Sequence, residues 1–117
     1  MHFTIQIFET PEEFDVRTDP NKKDAYWGGT FAYLKALKEA GVFVGGAGLQ
    51  PPATATTLRR NKGELVIHDG PVAETREMLG GYFIVDVPDL DAALQWAGRF
   101  PDRPGLAIEV RPNLQND

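Results

Sequence analysis

The stretch that most constrains the fold is residues 82–87, with the sequence YFIVDV, because it is apolar on both faces of an extended chain. A strand with one solvent-exposed face alternates apolar and polar residues, whereas a strand that is apolar on both faces is buried on both faces. Residues 82–87 therefore predict a central strand. The rest of the chain has to supply strands on either side of it and a layer that covers it.

Two other segments alternate in the manner of half-buried strands. In residues 2–9, Phe3, Ile5 and Ile7 share one face and polar residues share the other. Residues 106–111 alternate in the same way and predict the last strand. The tail at 112–117 is polar and is predicted to be loose.

Residues 42–49 mix Val and Phe with small residues and predict a strand that leaves space above it. Gly45, Gly46 and Gly48 have no side chain with which to fill that space. A ligand, a helix or a partner chain would have to occupy it. Pro51 and Pro52 follow and end the strand.

Two segments carry apolar residues at helical spacing. The first begins at Asp19-Pro20, as N-cap and first helical residue, and ends at Gly41. The second has Asp89 as its N-cap. Residues 10–19 are polar and turn-rich and predict a loop. The predicted apolar stripes are Trp27, Phe31, Leu34 and Leu37 in the first helix, and Leu90, Ala93, Leu94 and Ala97 in the second.

A hairpin over residues 54–60 and 64–68 completes the order β-α-β, hairpin, β-α-β. This order predicts one domain over residues 1–117 of class α+β, a ferredoxin-like antiparallel sheet with two helices on one face. The open face of such a sheet needs a cover. Two protomers that pack face to face would supply it, and we expect a homodimer.

Composition excludes several classes of function. The chain has no cysteine and no serine, which excludes thiol and serine nucleophiles, disulfides and Cys-based metal sites. A net charge of −5 disfavours direct binding to nucleic acid. No apolar run is long enough to span a membrane, and the N-terminus lacks the layout of a signal peptide. We expect a cytoplasmic protein without metal or cofactor.

The densest group of ionisable and turn-forming residues is 68–81, which connects two predicted strands. Asp69-Gly70-Pro71 is a stiff turn, and the loop after it is longer than an ordinary hairpin loop, which favours a functional loop. Asp69 and His68 are the candidate acid-base residues. The alternatives are an Asx-turn role for Asp69 and a boundary position for His68. If the strand continues through both residues, they point to opposite faces and form no dyad.

The same loop holds the candidate ligand-binding residues. Arg76, with Glu74 and Thr75, is suited to bind a carboxylate or phosphate. An internal Glu–Arg pair that braces the loop is the alternative. Tyr82 and Tyr26 are candidates to donate hydrogen bonds into a cavity.

These residues carry a resemblance to a known family. The segments Asp69-Gly70-Pro71, Glu74-Thr75-Arg76, Leu79-Gly80-Gly81-Tyr82, 89–97 and 108–112 resemble the DGPF-domain branch of the YCII-related proteins. The resemblance is tight over residues 62–112. It departs from the family pattern at Val72, where the family has Phe, and at His68, where a small polar residue is usual.

The resemblance implies a homodimer of the dimeric α/β-barrel type that binds an unknown small molecule. One function that the resemblance implies for such a protein is that of a cofactor-free lyase- or isomerase-type enzyme, with Asp69 or His68 as base and Arg76 as anion anchor. The alternative is a non-catalytic regulatory or interaction module associated with sigma-factor-type transcription systems. A cofactor-free oxygenase is the third possibility.

Overall fold

The structure is a computed structural model that describes residues 1–115. In that range the chain forms a four-stranded sheet, a two-stranded sheet and three α-helices. The strands are β1 (His2–Glu9), β2 (Phe43–Gly48), β3 (Thr56–Asn61), β4 (Glu64–Asp69), β5 (Met78–Asp86) and β6 (Ala107–Pro112), and the helices are α1 (Pro11–Val16), α2 (Lys23–Glu39) and α3 (Leu90–Ala97).

The main sheet has the strand order β2-β5-β1-β6, and all its neighbouring pairs are antiparallel. With the β3–β4 hairpin set aside, this is the ferredoxin-like order, as predicted. The predicted central position of residues 82–87 is confirmed, because β5 pairs with β1 on one side and β2 on the other. β5 begins earlier than predicted, at Met78. The predicted loose tail lies partly outside the described residues, and Pro112 belongs to β6.

The core lies between the main sheet and the helices α2 and α3, so both helices pack on one face as predicted. The buried face of β1 is the predicted one, with Phe3, Ile5 and Ile7. In α3 the predicted stripe is only half right. Its two alanines are buried, but Leu90 and Leu94 are 49% and 50% exposed. The alanines of α3 pack in the core against the sheet, whereas its leucines are half exposed to solvent.

The predicted loop at 10–19 is wrong, because α1 lies there. Thr10 is the N-cap, and its hydroxyl accepts a hydrogen bond from the Glu13 backbone N–H at 3.4 Å. Pro11 takes the first helical position. The predicted start of α2 is also wrong. The Asp19 carboxylate accepts from the Asn21 backbone N–H at 2.8 Å in a turn that precedes the helix.

The predicted hairpin is confirmed as β3 and β4, joined at Lys62 and Gly63, which both have positive φ. Every residue of β4 is exposed. Ile67 is 63% exposed, and Leu58, its partner on β3, is 57% exposed. We call β3 and β4 together the exposed hairpin.

The two faces of the main sheet differ. α2 and α3 cover one face, whereas the other presents Thr4, Gln6, Tyr82 and Ile84, which are half-buried. We call this second face the open face. Within residues 1–115, no helix has both the length and the apolar character that a membrane span requires.

Candidate functional site

A cavity of about 260 Å³ lies between α2 and the glycine-rich part of the main sheet. Its wall is mostly apolar and aromatic. Among the side chains that line it are Trp27, Phe31, Leu34, Phe43, Phe83 and Phe100. A concave apolar site of this kind is the usual form of a small-molecule pocket.

Glycines create the space on the sheet side. Gly46 and Gly48 on β2, and Gly80 and Gly81 on β5, line the cavity. A Cβ at Gly48 would meet no atom within 4 Å, so its surroundings are open. The predicted space above this strand is therefore present. Gly45 pairs with Ile84 and lies on the open face instead.

A buried charged cluster forms part of the cavity wall; we use this name for Glu9, Arg17, Tyr26 and Arg103. Glu9 continues the buried alternation of β1 and is 2% exposed. The Tyr26 hydroxyl donates to the Glu9 carboxylate, 2.7 Å from Oε1 and 2.9 Å from Oε2. The Arg17 and Arg103 guanidiniums form ion pairs with the same carboxylate at 3.3 and 3.4 Å.

Arg17 ties the segment between α1 and α2 to the edge of the sheet. Its Nε donates to the Tyr26 hydroxyl at 2.9 Å, and Nη2 donates to the Gly80 carbonyl at 3.0 Å. Nη1 donates to the Leu49 carbonyl. The guanidinium carbon also lies 4.7 Å from the ring centre of Phe14. These contacts hold the guanidinium in one position beside the cavity.

Arg103 ties the loop after α3 to α2. Its guanidinium carbon lies 3.7 Å from the centre of the Tyr26 ring, within the range of a cation–π contact. Its Nη2 donates to the Tyr26 carbonyl at 3.0 Å and also to the Thr30 hydroxyl. The cluster therefore assembles from four separate segments of the chain.

The electrostatics of the cluster leave one positive charge in excess. Burial, together with the hydrogen bond to Glu9, raises the pKa of Tyr26 to about 12, so its hydroxyl is neutral near pH 7. Two guanidiniums then face one carboxylate. Buried ion pairs contribute little net stability, so charged groups in a cavity wall are candidates for function.

The predicted acid-base residues lie elsewhere. His68 and Asp69 are exposed on β4, and neither lines this cavity. Strand β4 runs through both, so they point to opposite faces, as expected. The turn after them is held across the hairpin, where the Thr57 hydroxyl donates to the Gly70 carbonyl at 2.6 Å. Gly70 has φ +116°, a backbone conformation that favours glycine.

The predicted anion-binding residues lie in the exposed loop before β5. Arg76 forms an ion pair with Glu12 of α1 at 3.3 Å. It therefore links the loop to another element and does not form the expected pair with the neighbouring Glu74. The Thr75 hydroxyl donates to the Glu77 carbonyl at 2.6 Å. Thr75 and Arg76 line a separate open depression, together with Phe8, Glu77 and Glu109.

Tyr82 and Tyr26, the predicted hydrogen-bond donors, both contribute to the cavity wall. The Tyr26 hydroxyl donates its proton to Glu9 within the wall, so its expected donation into the cavity stays a prediction. Tyr82 pairs with Gln6, and strand alternation places its side chain on the open face. The structure thus does not gather the six predicted site residues at one point, and their roles stay predictions.

Sequence reasoning missed Glu9, Arg17 and Arg103. A signal existed for Glu9, since it follows Phe3, Ile5 and Ile7 at the same two-residue spacing and so places a charge on the buried face. No periodic pattern singles out the two arginines. In the part of the chain that is described, no group of three or more His, Asp or Glu residues is arranged to hold a metal ion.

Comparisons with known proteins agree with the sequence resemblance. The family model for the YCII-related domain matches residues 1–112. An uncharacterised protein from Rhizobium meliloti (strain 1021) is 46% identical to the chain over 83 residues, which is 69% of this chain and 67% of that protein. The family match includes the four residues of the charged cluster and the exposed hairpin. The chain therefore belongs to the YCII-related family.

Proposed function

We propose that this protein is a small-molecule-binding protein of the DGPF branch of the YCII-related family, and that its ligand occupies the cavity beside α2. The observation that carries the proposal is the apolar cavity with the buried charged cluster in its wall. Apolar walls with a few placed polar groups give both affinity and orientation to a small ligand.

A pair of glycine substitutions on β2 tests this location. Gly48→Leu places a side chain in the cavity, and Gly45→Leu places the same side chain on the open face, where a Cβ would also meet no atom within 4 Å. Ligand-observed NMR with a library of small uncharged aromatic compounds should find binders of the wild type. We expect Gly48→Leu to lose them and Gly45→Leu to keep them. The proposal fails if no compound binds or if both variants bind alike.

Homodimerisation is part of the proposal. The molecule measures 47 × 46 × 19 Å, and its short dimension matches one sheet layer plus one helix layer. Face-to-face packing of two open faces would give the dimeric α/β-barrel type. The exposed hairpin, with Leu58 and Ile67 in solvent, offers further apolar surface to a second chain.

Cofactor-free acid-base catalysis on the bound ligand is the reaction type that we propose. The cavity wall itself offers the hydrogen-bonded pair of Tyr26 and Glu9 for proton transfer, in which the hydroxyl proton lies between Tyr26 and the Glu9 carboxylate. His68 and Asp69 lie outside the cavity of their own protomer, so their participation requires the hairpin of a second protomer. Arg76 would act as anion anchor only in the same arrangement.

Turnover of compounds that bind separates these roles. We expect Tyr26→Phe to bind the ligand but to convert it more slowly, and Asp69→Asn or His68→Gln to show which predicted base contributes. Product formation followed by NMR measures both steps. Equal rates in the wild type and all three variants would refute acid-base catalysis by these residues.

An interaction module of sigma-factor-type transcription systems is the second candidate function, and the exposed hairpin favours it. This candidate predicts that hairpin substitutions such as Ile67→Glu abolish binding to a sigma factor, while Gly48→Leu does not affect it. Binding of a purified sigma factor that Gly48→Leu weakens and Ile67→Glu preserves would contradict it.

A further inference from the structure

Among residues 1–115, the charged cluster has no second anion that would balance its excess positive charge. In the described range, 1–115, Glu9 is the only carboxylate within 4.0 Å of the Arg17 or Arg103 guanidinium. The side chains of the two arginines are 9% and 7% exposed. A buried charge without a counter-charge is unfavourable, so a bound monoanion would stabilise this site.

The two guanidiniums also have N–H groups that make no hydrogen bond to residues 1–115. Each guanidinium has five N–H groups. Among residues 1–115, Arg17 makes four hydrogen bonds and Arg103 makes three. One N–H of Arg17 and two of Arg103 are left, and both residues line the cavity. A carboxylate is an acceptor that suits such donors.

The rest of the cavity wall is aromatic and favours a ligand with a flat apolar group. The rings of Trp27 and Phe31 are stacked, with centroids 6.1 Å apart and planes 28° from parallel. Phe83 and Phe100 also line the cavity. Aromatic walls favour aromatic ligands through stacked and edge-on contacts. The volume of about 260 Å³ lies just below the range of about 300–1,000 Å³ for drug-sized ligands, so the ligand is small.

We infer that the cavity binds a small aromatic monocarboxylate, with its carboxylate at Arg17 and Arg103 and its ring among the aromatic side chains. This inference rests on the proposed ligand-binding function and adds the class of ligand. A monocarboxylate balances the single excess charge, whereas a phosphate monoester, which carries about −1.5 to −2 near pH 7, would exceed it.

Isothermal titration calorimetry of the full chain with three probes of one ring size tests the inference. The probes are benzoate, its neutral counterpart benzamide, and the more highly charged phenyl phosphate. We expect benzoate to bind about tenfold or more tightly than benzamide, because its hydrogen bonds are charge-assisted. We expect phenyl phosphate to bind more weakly than benzoate.

Variants then locate the carboxylate. Arg103→Gln should weaken benzoate and leave benzamide unchanged, with circular dichroism as the check that the variant folds. Gly48→Leu should abolish binding of both probes, and Gly45→Leu should preserve it. If Arg103→Gln does not fold, the comparison of the three probes on the wild type decides the ligand class.

The unfavourable outcomes are distinct. Benzamide as tight as benzoate, or phenyl phosphate tighter than benzoate, would overturn the monocarboxylate and leave the ligand site intact. Benzoate binding that survives Gly48→Leu would overturn the location. A lack of binding by all three probes, when uncharged fragments do bind, overturns this inference alone. If none of the probes and none of the uncharged fragments binds, the proposed function is overturned as well.

Discussion

At the scale of single residues, Gly80 decides how close the charged cluster comes to the sheet. A Cβ at this position would lie 2.9 Å from Arg17 Nη2 and 2.9 Å from Glu9 Oε1, with Phe14 at 3.3 Å. Contacts that short require the neighbours to move. The missing side chain thus lets β5 approach the ion pairs.

Gly80→Ala should lower the free energy of unfolding by about 1–3 kcal/mol, because it forces the cluster apart in a packed region. The matched control is Gly48→Ala, whose Cβ would meet open space in the wall of the same cavity. We expect the control to change stability by less than about 0.5 kcal/mol. Urea denaturation of both variants measures this, and equal effects would show that the cluster tolerates the methyl group.

Two buried tyrosines should make stability depend on alkaline pH. Burial raises the pKa of Tyr33 to about 12, as burial and Glu9 do for Tyr26, from an ordinary value of 10.0. The folded protein holds these protons more tightly than the unfolded chain. The stabilising contribution is therefore complete below about pH 10 and is lost as the pH rises to about 12.

Denaturation at a series of pH values from 9 to 12, with tyrosinate absorbance as a second signal, measures this loss. We expect a shallower decline in Tyr33→Phe, which removes one titrating hydroxyl together with its hydrogen bond to the Trp96 carbonyl at 2.8 Å. An unchanged slope in Tyr33→Phe would rule out its titration as a cause.

At the scale of elements, alternation and capping predicted most of the boundaries. Residues 2–9 form β1 as expected, and the cap at Asp89 begins α3. The start of β5 was missed because Gly80 and Gly81 interrupt any pattern in side chains. The short α1 was missed although Thr10-Pro11 followed by glutamates is a start signal, because the helix that follows has only 6 residues.

Asp89→Ala should lower the free energy of unfolding by about 1 kcal/mol, because it removes the cap of α3. The Asp89 carboxylate accepts from the Ala92 backbone N–H at 2.9 Å. Asp89→Asn keeps an acceptor and should restore most of the stability. Thermal unfolding ranks the three proteins, and an alanine variant as stable as the asparagine variant would argue against the cap.

At the scale of the whole molecule, the main sheet carries the helices α2 and α3 on one face only. The open face, where Ile84 is half-buried, and the exposed hairpin, with Leu58 and Ile67 in solvent, together present apolar surface that one copy of the chain does not cover. Soluble monomers rarely expose large apolar patches. A second copy would bury both.

The wild type should therefore sediment at the mass of two chains at micromolar concentration. Ile84→Glu places a charge on the open face and should halve that mass. Leu114→Glu makes the same kind of change at a residue that is 92% exposed and should leave the mass unchanged. Circular dichroism checks the fold of both variants, and a monomeric wild type would refute the homodimer.

Sequence alone determined the order of the strands along the chain, the presence of the helices α2 and α3, the central place of β5 and the presence of the hairpin. These follow from periodicity, which depends on near neighbours in the chain. It also predicted an unfilled space above the glycines of β2. The candidate site predicted from the sequence lies at residues 68–76, where polar residues are dense, because local composition can be read without knowledge of the fold.

Only the tertiary structure decided which charges meet. Glu9, Arg17, Tyr26 and Arg103 come from four segments, and the largest separation, from Glu9 to Arg103, is 94 residues. No local pattern encodes a contact over that distance. It arises because β1 lies at the centre of the sheet while α2 and the loop after α3 pack on the same face. The cavity exists for the same reason, since packing determines where missing side chains leave space.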